Sequence, residues 1–295
     1  MMETRAGFVA VIGAPNAGKS TLVNALVGQK VAIVSPKAQT TRARLMGIAI
    51  QDQTQILLVD TPGIFEPRRR LDRAMVAAAW TGAQDADLIL LVIDASGRIR
   101  DDVLEGLEKR DHPLFLALNK IDLVKKEKLL TLSAGLTERL NPDRVFMISA
   151  AQGDGVSDLK SALGDAMPAG PWLYPEDEVS GATDRMIAAE LTREQIVNQL
   201  HQELPYATVV ETETWEDRPD GSTVIHHQII VERDSQKAIV IGKGGRRLKS
   251  MGAAARAEIA QHLGRSVHLF LHVKVEPKWG EDRSLYREIG LEWAD

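Results

Sequence analysis

Gly13-Ala14-Pro15-Asn16-Ala17-Gly18-Lys19-Ser20 decides the fold of the first half of this chain. An apolar run over residues 8–12 leads into it, and residues 21–27 continue it with a helical pattern. A strand, a glycine loop and a helix in that order are the context of a phosphate-binding loop. Gly13 and Gly18 let the backbone turn tightly and aim its N–H groups inward. The following helix adds the positive end of its dipole. Lys19 is placed to reach β- and γ-phosphate oxygens, and the Ser20 hydroxyl to ligate Mg²⁺. Gly13, Ala14, Pro15, Asn16, Ala17, Gly18, Lys19, Ser20 and Thr21 are therefore the expected triphosphate contacts.

Further along, residues 56–59 form a buried-strand run ending in Asp60-Thr61-Pro62-Gly63-Ile64. Asp60 stands where a carboxylate holds Mg²⁺ through water, and the Gly63 N–H can face a γ-phosphate because glycine admits close backbone approach. Before it lies Thr40-Thr41. Thr41, in preference to Thr40, is assigned the γ-phosphate-sensing Mg²⁺ contact. Lys19, Thr41, Asp60 and Gly63 are the expected catalytic set, and Ser20, Thr41 and Asp60 the expected Mg²⁺ set.

Asn119-Lys120-Ile121-Asp122 closes another apolar run, residues 114–118. Ligands of open α/β sheets bind at the carboxyl ends of strands. A carboxylate at Asp122 can accept two hydrogen bonds from guanine N1–H and the 2-amino group. Adenine offers no such pair, and an unpaired buried acceptor costs about 1–3 kcal/mol. Lys120 is expected along the base plane and Asn119 against the phosphate loop. Ser149-Ala150 ends the run over residues 145–148, with the Ala150 N–H expected on guanine O6. The motifs together read as a GTP/GDP site.

The chain has 295 residues, no cysteine, 44% hydrophobic residues and a net charge of −5. That length suggests two domains. The absence of cysteine excludes disulfides and thiolate metal sites and fits a reducing cytoplasm. No apolar run approaches the roughly 20 residues of a membrane span. The start, MMETRAGFVAVIG, lacks a charged leader with apolar core and cleavage site, so no signal peptide is expected. Strand-like runs at 8–12, 55–59, 88–93, 114–118 and 145–148 alternate with helical stretches, which predicts a doubly wound, mostly parallel α/β domain over residues 1–170. Residues 171–183, carrying Trp172-Leu173-Tyr174-Pro175, read as a linker.

Residues 184–295 have another rhythm: a helix from Asp184 to Leu204, strands over 207–213 and 223–231, then Gly242-Lys243-Gly244-Gly245 between two helices, and an alternating strand from Val267 to Val275. The order α-β-β-α-α-β with a GXXG loop matches a KH domain, here of type II, whose loop clamps about four nucleotides of backbone. From Ser235 to Ala257 no acidic residue occurs, while Lys237, Lys243, Arg246, Arg247, Lys249 and Arg256 all do. On an acidic chain that is a phosphate footprint. Gly242, Lys243, Gly244, Gly245, Arg246, Arg247 and Lys249 are the expected RNA contacts. His226, His227, His268 and His272 read as strand surface, without metal-site spacing.

GAPNAGKST, KAQTTR (Lys37 to Arg42), DTPGI, NKID, PWLYPED and IGKGG, in that order, resemble the Era family of Ras-like GTPases along nearly the whole chain. The resemblance implies a GTPase acting in small-subunit ribosome assembly, which recognises the 3′ end of small-subunit rRNA on the 30S subunit. It implies a protein in part peripheral to the inner membrane; a cytoplasmic monomer that binds RNA rather than DNA is expected. Ile64 stands where Ras-like enzymes carry a water-positioning glutamine, so intrinsic hydrolysis is expected to be slow. Asn16 resembles an asparagine that coordinates K⁺ in related GTPases. Three other readings stay open on the residues alone: a P-loop kinase or ATPase, an RNA-binding module without turnover, and a membrane-acting GTPase.

Overall fold

The computed structural model describes residues 4–35, 37, 45–67, 70–201, 204–283, 286 and 291–293. Thr40 and Thr41 lie outside the described residues, as do 38–39 and 42–44. The chain forms two compact units: Met1–Ala32 with Thr41–Gly181 and Ile289–Asp295, and Ile33–Thr40 with Ala182–Glu288.

The first unit runs β1 (Arg5–Ile12), α1 (Lys19–Val27), β2 (Leu45–Gln51), β3 (Thr54–Asp60), α2 (Arg70–Gln84), β4 (Leu88–Asp94), α3 (Asp101–Leu107), β5 (Leu114–Asn119), α4 (Lys126–Leu140), β6 (Arg144–Met147) and α5 (Val156–Ala166). Its six-stranded sheet has the order β2-β3-β1-β4-β5-β6. All pairings are parallel except β2 with β3. Alternate residues of each strand face opposite layers. Val9 and Val11 join Leu22, Leu26, Leu159 and Leu163 of α1 and α5. Ala10 and Ile12 join Ala79, Val103, Leu107 and Leu136 of α2, α3 and α4. Burial on both faces is why these strands are continuously apolar.

β2 is an element the sequence reading lacks. Leu45–Gln51 carries a central glycine and lies at the sheet edge, antiparallel to β3, with an isolated antiparallel bridge from Gly47 to Ser180 on its other side. Asp52, at a left-handed φ of 52°, makes the tight return to β3. The expected linker is also firmly packed within this unit. The fully buried Gln55 side chain accepts from the N–H groups of Leu173 and Tyr174 and donates to the Tyr174 carbonyl. The Trp172 indole donates to Gln53 O, and Ser180 Oγ to Met46 O. A buried amide must find partners, and this stretch supplies them.

The second unit holds α6 (Asp184–Gln199), β7 (Thr208–Asp217), β8 (Thr223–Val231), α7 (Asp234–Ile241), α8 (Arg246–Leu263) and β9 (Val267–Val275). β8 is central, antiparallel to β7 and parallel to β9. This is the expected α-β-β-α-α-β order. Thr183 caps α6 through a bond from the Met186 N–H. The helix stops at Gln199, short of the expected Leu204, because Leu200 is extended and Leu204–Ala207 forms a separate 3-10 turn around Pro205. Met251, Ala255 and Ile259, spaced by four, put one face of α8 into the core.

Residues 33–35 and 37 belong to this unit, although they lie in the first half of the chain. Ile33 is buried among Ile187, Ala188, Leu191, Ile225 and Ile259. The Val34 N–H donates to Glu194 Oε1 at 3.0 Å. The Lys37 ammonium donates to the carbonyls of Val197 and Leu200. His227 also departs from expectation: it is fully buried, with Nδ1 2.9 Å from Thr192 Oγ1. The strand carries alternate residues to opposite faces, so His226 and His227 cannot both be surface.

Candidate functional site

The carboxyl ends of β1, β3, β4 and β5 converge on the phosphate loop. Gly13 has φ 155°, and a Cβ there would sit 2.3 Å from the Val92 carbonyl oxygen. Gly18 has φ 93°, and its Cβ would lie 2.3 Å from Asn119 Nδ2. Only glycine fits either place. α1 begins at Lys19 with Gly18 as its left-handed cap, leaving its first N–H groups for an anion. Lys19 is 6% exposed and its ammonium donates to Gly13 O at 3.2 Å and Ala14 O at 3.0 Å. Burial pushes the ammonium down to about 8, with Asp60 opposing that shift.

Ser20 Oγ donates to Asp60 Oδ2 at 2.7 Å, and Asp60 is fully buried at the end of β3. A hydroxyl and a carboxylate side by side, oxygen-only and at the mouth of the loop, are the donor set a hard cation such as Mg²⁺ takes. The residues present thus fit the ion. Thr61 Oγ1 donates to Val11 O at 2.7 Å. Gly63 packs on Pro15, where a Cβ would meet the Pro15 nitrogen at 2.8 Å, and the Ile64 N–H donates to Gly13 O at 3.1 Å. The segment 60–64 is thereby laid against the phosphate loop. Ile64 is 3% exposed.

At the guanine side Asn119 is buried; Nδ2 donates to Ala17 O and Oδ1 accepts from the Ala150 N–H, both at 2.9 Å. The Ala150 N–H, expected on guanine O6, is directed here to Asn119 Oδ1. Lys120, at φ 63°, donates from Nζ to Asn16 O at 2.8 Å and to Asp94 Oδ2 at 2.6 Å. Asp122 is exposed in the turn Ile121–Leu123, open to a base edge. Asp94 was not among the expected site residues; its signal was a carboxylate ending the apolar run over residues 88–93.

In the second unit Gly242, Gly244 and Gly245 all have positive φ, at 71°, 61° and 75°. A Cβ at Gly242 would lie 2.8 Å from Arg247 Cβ, whereas Gly244 and Gly245 face open space. Arg247 is held to the Ile239 carbonyl at 2.8 Å. Lys243, Arg246 and Lys249 lie around the loop, and Ile239 leaves 48% of its surface open beside it. Cations, glycine backbone and an exposed apolar side chain together suit a sugar-phosphate chain with splayed bases. Among the described residues no cluster of His, Asp or Glu suits a metal ion elsewhere. No described helix is long and apolar enough to cross a membrane.

Residues 8–120 match the family model described as a 50S ribosome-binding GTPase, and residues 203–280 match the KH domain model. The chain is 54% identical to the GTPase Era of Erythrobacter litoralis over 99% of this chain and 98% of that protein. It is 58% identical to the GTPase Era of a Bradyrhizobium strain, over 99% and 96%. A solved structure of Era in complex with MgGDPNP and nucleotides 1506–1542 of 16S ribosomal RNA superposes with a TM-score of 0.91 at 36% identity, over 97% of this chain and 99% of that one. A point variant of Aquifex aeolicus Era bound to GDP·AlF4⁻ gives the same TM-score, identity and coverage.

Proposed function

The chain belongs to the Era family of GTPases, and from that premise we propose that it binds the 3′ end of 16S rRNA during assembly of the 30S subunit, under control of its GTP cycle. One observation carries the reading. A guanine site braced by Asn119 and a basic GXXG loop occur on one chain, each with the backbone geometry its ligand needs. The related Era structure holding 16S nucleotides supports the choice of RNA.

GTP is bound and hydrolysed on the first unit. The loop from Gly13 to Ser20, with the N-terminus of α1, cradles the phosphates and Lys19 neutralises the β- and γ-oxygens. Ser20 and Asp60 would hold Mg²⁺, which when bound screens the charge of the β- and γ-phosphates. Asp122 reads the guanine edge. Ile64 is buried and cannot orient water by hydrogen bonding, so turnover is slow unless backbone, RNA or a cation assists. K⁺ beside Asn16 is our candidate for that cation; equal turnover in K⁺ and Na⁺ would remove it.

The switch is proposed to work through differential contacts to the γ-phosphate. Ile33, Val34 and Lys37 are fixed in the second unit. Contacts from Thr41 and Gly63 to a γ-phosphate exist only in the GTP state, and these change how the KH surface is presented to RNA. Differential contact of this kind is what lets a nucleotide shift a population. We further propose a monomer, peripheral rather than inserted wherever it meets the inner membrane. Light scattering and vesicle flotation check those two statements.

The test of the reading is cross-linking to an rRNA 3′-end strand. Adducts within residues 239–249 support it, and adducts spread evenly over the chain contradict it.

A further inference from the structure

Asp94 is the last residue of β4, and both of its carboxylate oxygens are taken. Oδ1 accepts from the Ser96 N–H at 2.9 Å and from the Ser96 hydroxyl at 2.6 Å. Oδ2 accepts from Lys120 Nζ at 2.6 Å. The Gly97 N–H closes the turn on the Asp94 carbonyl at 3.1 Å, and a Cβ at Gly97 would approach the carboxyl carbon at 3.3 Å. The side chain is thus clamped in one orientation before Lys120 is considered. Burial pushes the carboxyl up, but the bonds from Lys120 and Ser96 outweigh it and hold Asp94 below the usual range.

Lys120 passes the constraint on. Its ammonium also donates to the Asn16 carbonyl at 2.8 Å. Lys120 and Asn16 are both non-glycine residues at φ 63°. Such backbone persists only where surrounding contacts over-determine it. The one ammonium therefore fastens two strained positions, one in the phosphate loop and one in the guanine loop, to the end of a central strand.

We propose that Asp94 is a positioning residue of the nucleotide site: acting through Lys120, it holds the guanine loop and Asn16 of the phosphate loop in the bound arrangement and so sets how long a guanine nucleotide stays. Without the Asp94 carboxylate, Lys120 keeps only a neutral carbonyl acceptor, and a charge-assisted bond becomes an ordinary one. The lysine stem then samples other rotamers, and Asn16 loses its tether. The phosphate-bearing part of the site, built on Lys19, Ser20 and Asp60, is untouched. The effect should therefore be read first in nucleotide release.

The inference rests on the guanine-nucleotide reading of this site. Stopped-flow release of a fluorescent GDP from the full chain tests both separately. If the unaltered chain binds no GDP, the reading itself fails. Given binding, Asp94→Ala should speed release roughly 10- to 100-fold, and Asp94→Asn, which keeps the shape and loses the charge, by less. In a Lys120→Ala background, Asp94→Ala should add less than about threefold, since the path through Lys120 is already cut. Release unchanged in both Asp94 variants, or an acceleration equally large without Lys120, would overturn the proposal. Should Asp94→Ala not fold, Asp94→Asn carries the same comparison.

Discussion

Asn119 and Ala17 are joined by a hydrogen bond of 2.9 Å from the asparagine Nδ2 to the alanine carbonyl, so the guanine loop and the phosphate loop share one brace. The same side chain accepts from Ala150, which draws a third loop into the bond network. Asn119→Ala should strand the buried Ala150 N–H and Ala17 carbonyl. At about 1–3 kcal/mol for such groups, GDP affinity should fall roughly 10- to 100-fold. Isothermal titration measures it.

Base choice rests on Asp122. Asp122→Asn exchanges a double acceptor for a group that donates as well, which fits xanthine better than guanine. Competition binding should show GTP affinity falling by roughly 10- to 100-fold while xanthosine triphosphate gains. Unaltered preference for GTP would place base recognition elsewhere.

Lys19 gives the site a pH dependence. Its ammonium lies at about 8 in the free protein, lowered by burial, and phosphate binding favours the charged form. Below pH 8 the charge is present; as pH rises through 8 it is lost, and binding must restore a proton. GDP affinity should therefore fall about twofold from pH 7 to 8 and towards tenfold by about pH 9. Lys19→Ala should bind weakly and lack this slope. The folding sign follows from the same shift: the unfolded lysine holds its proton to higher pH. Burial of the neutral amine costs a proton below pH 8 and no longer does so above the unfolded value, so stability of the nucleotide-free protein should rise between pH 8 and 10.

His227 governs acid stability. Burial pushes its imidazole down to about 4 from an ordinary 6.5. Between those values the unfolded state takes up a proton that the folded state refuses. Stability is therefore fully present above pH 6.5 and falls as pH drops towards 4, by about 3 kcal/mol. Denaturant melts at pH 7 and 4.5 should show the loss in the second unit, and His227→Gln should shrink it even if its neutral-pH midpoint is lower.

Salt separates charge from shape at the GXXG loop. Lys243→Glu with Arg246→Glu should weaken RNA binding and flatten the plot of log affinity against log salt by about one unit or more per lost phosphate contact. Filter binding over roughly 50–200 mM salt reads both.

Much of this was legible in the sequence. The motifs at 13–20, 60–63 and 119–122 each end an apolar run, and parallel strands buried on both faces leave little ambiguity. What escaped the sequence depends on tertiary pairing. β2 is an edge strand whose partner cannot be inferred from its own pattern. Trp172 to Tyr174 reads as a linker because its role is to satisfy Gln55, a distant residue. His227 reads as surface until the sheet shows which face the helices cover. Asp94 looks like an ordinary strand end until Lys120 is found against it.

The central claim is that one chain reads a guanine nucleotide and an RNA end together. The most direct measurement is the affinity of a short single strand, matching the 3′ end of 16S rRNA, for the protein loaded with a non-hydrolysable GTP analogue and with GDP. The account predicts sequence-selective binding, tighter in the GTP form. Equal, salt-labile binding in both states, with no preference over a scrambled strand, would contradict it.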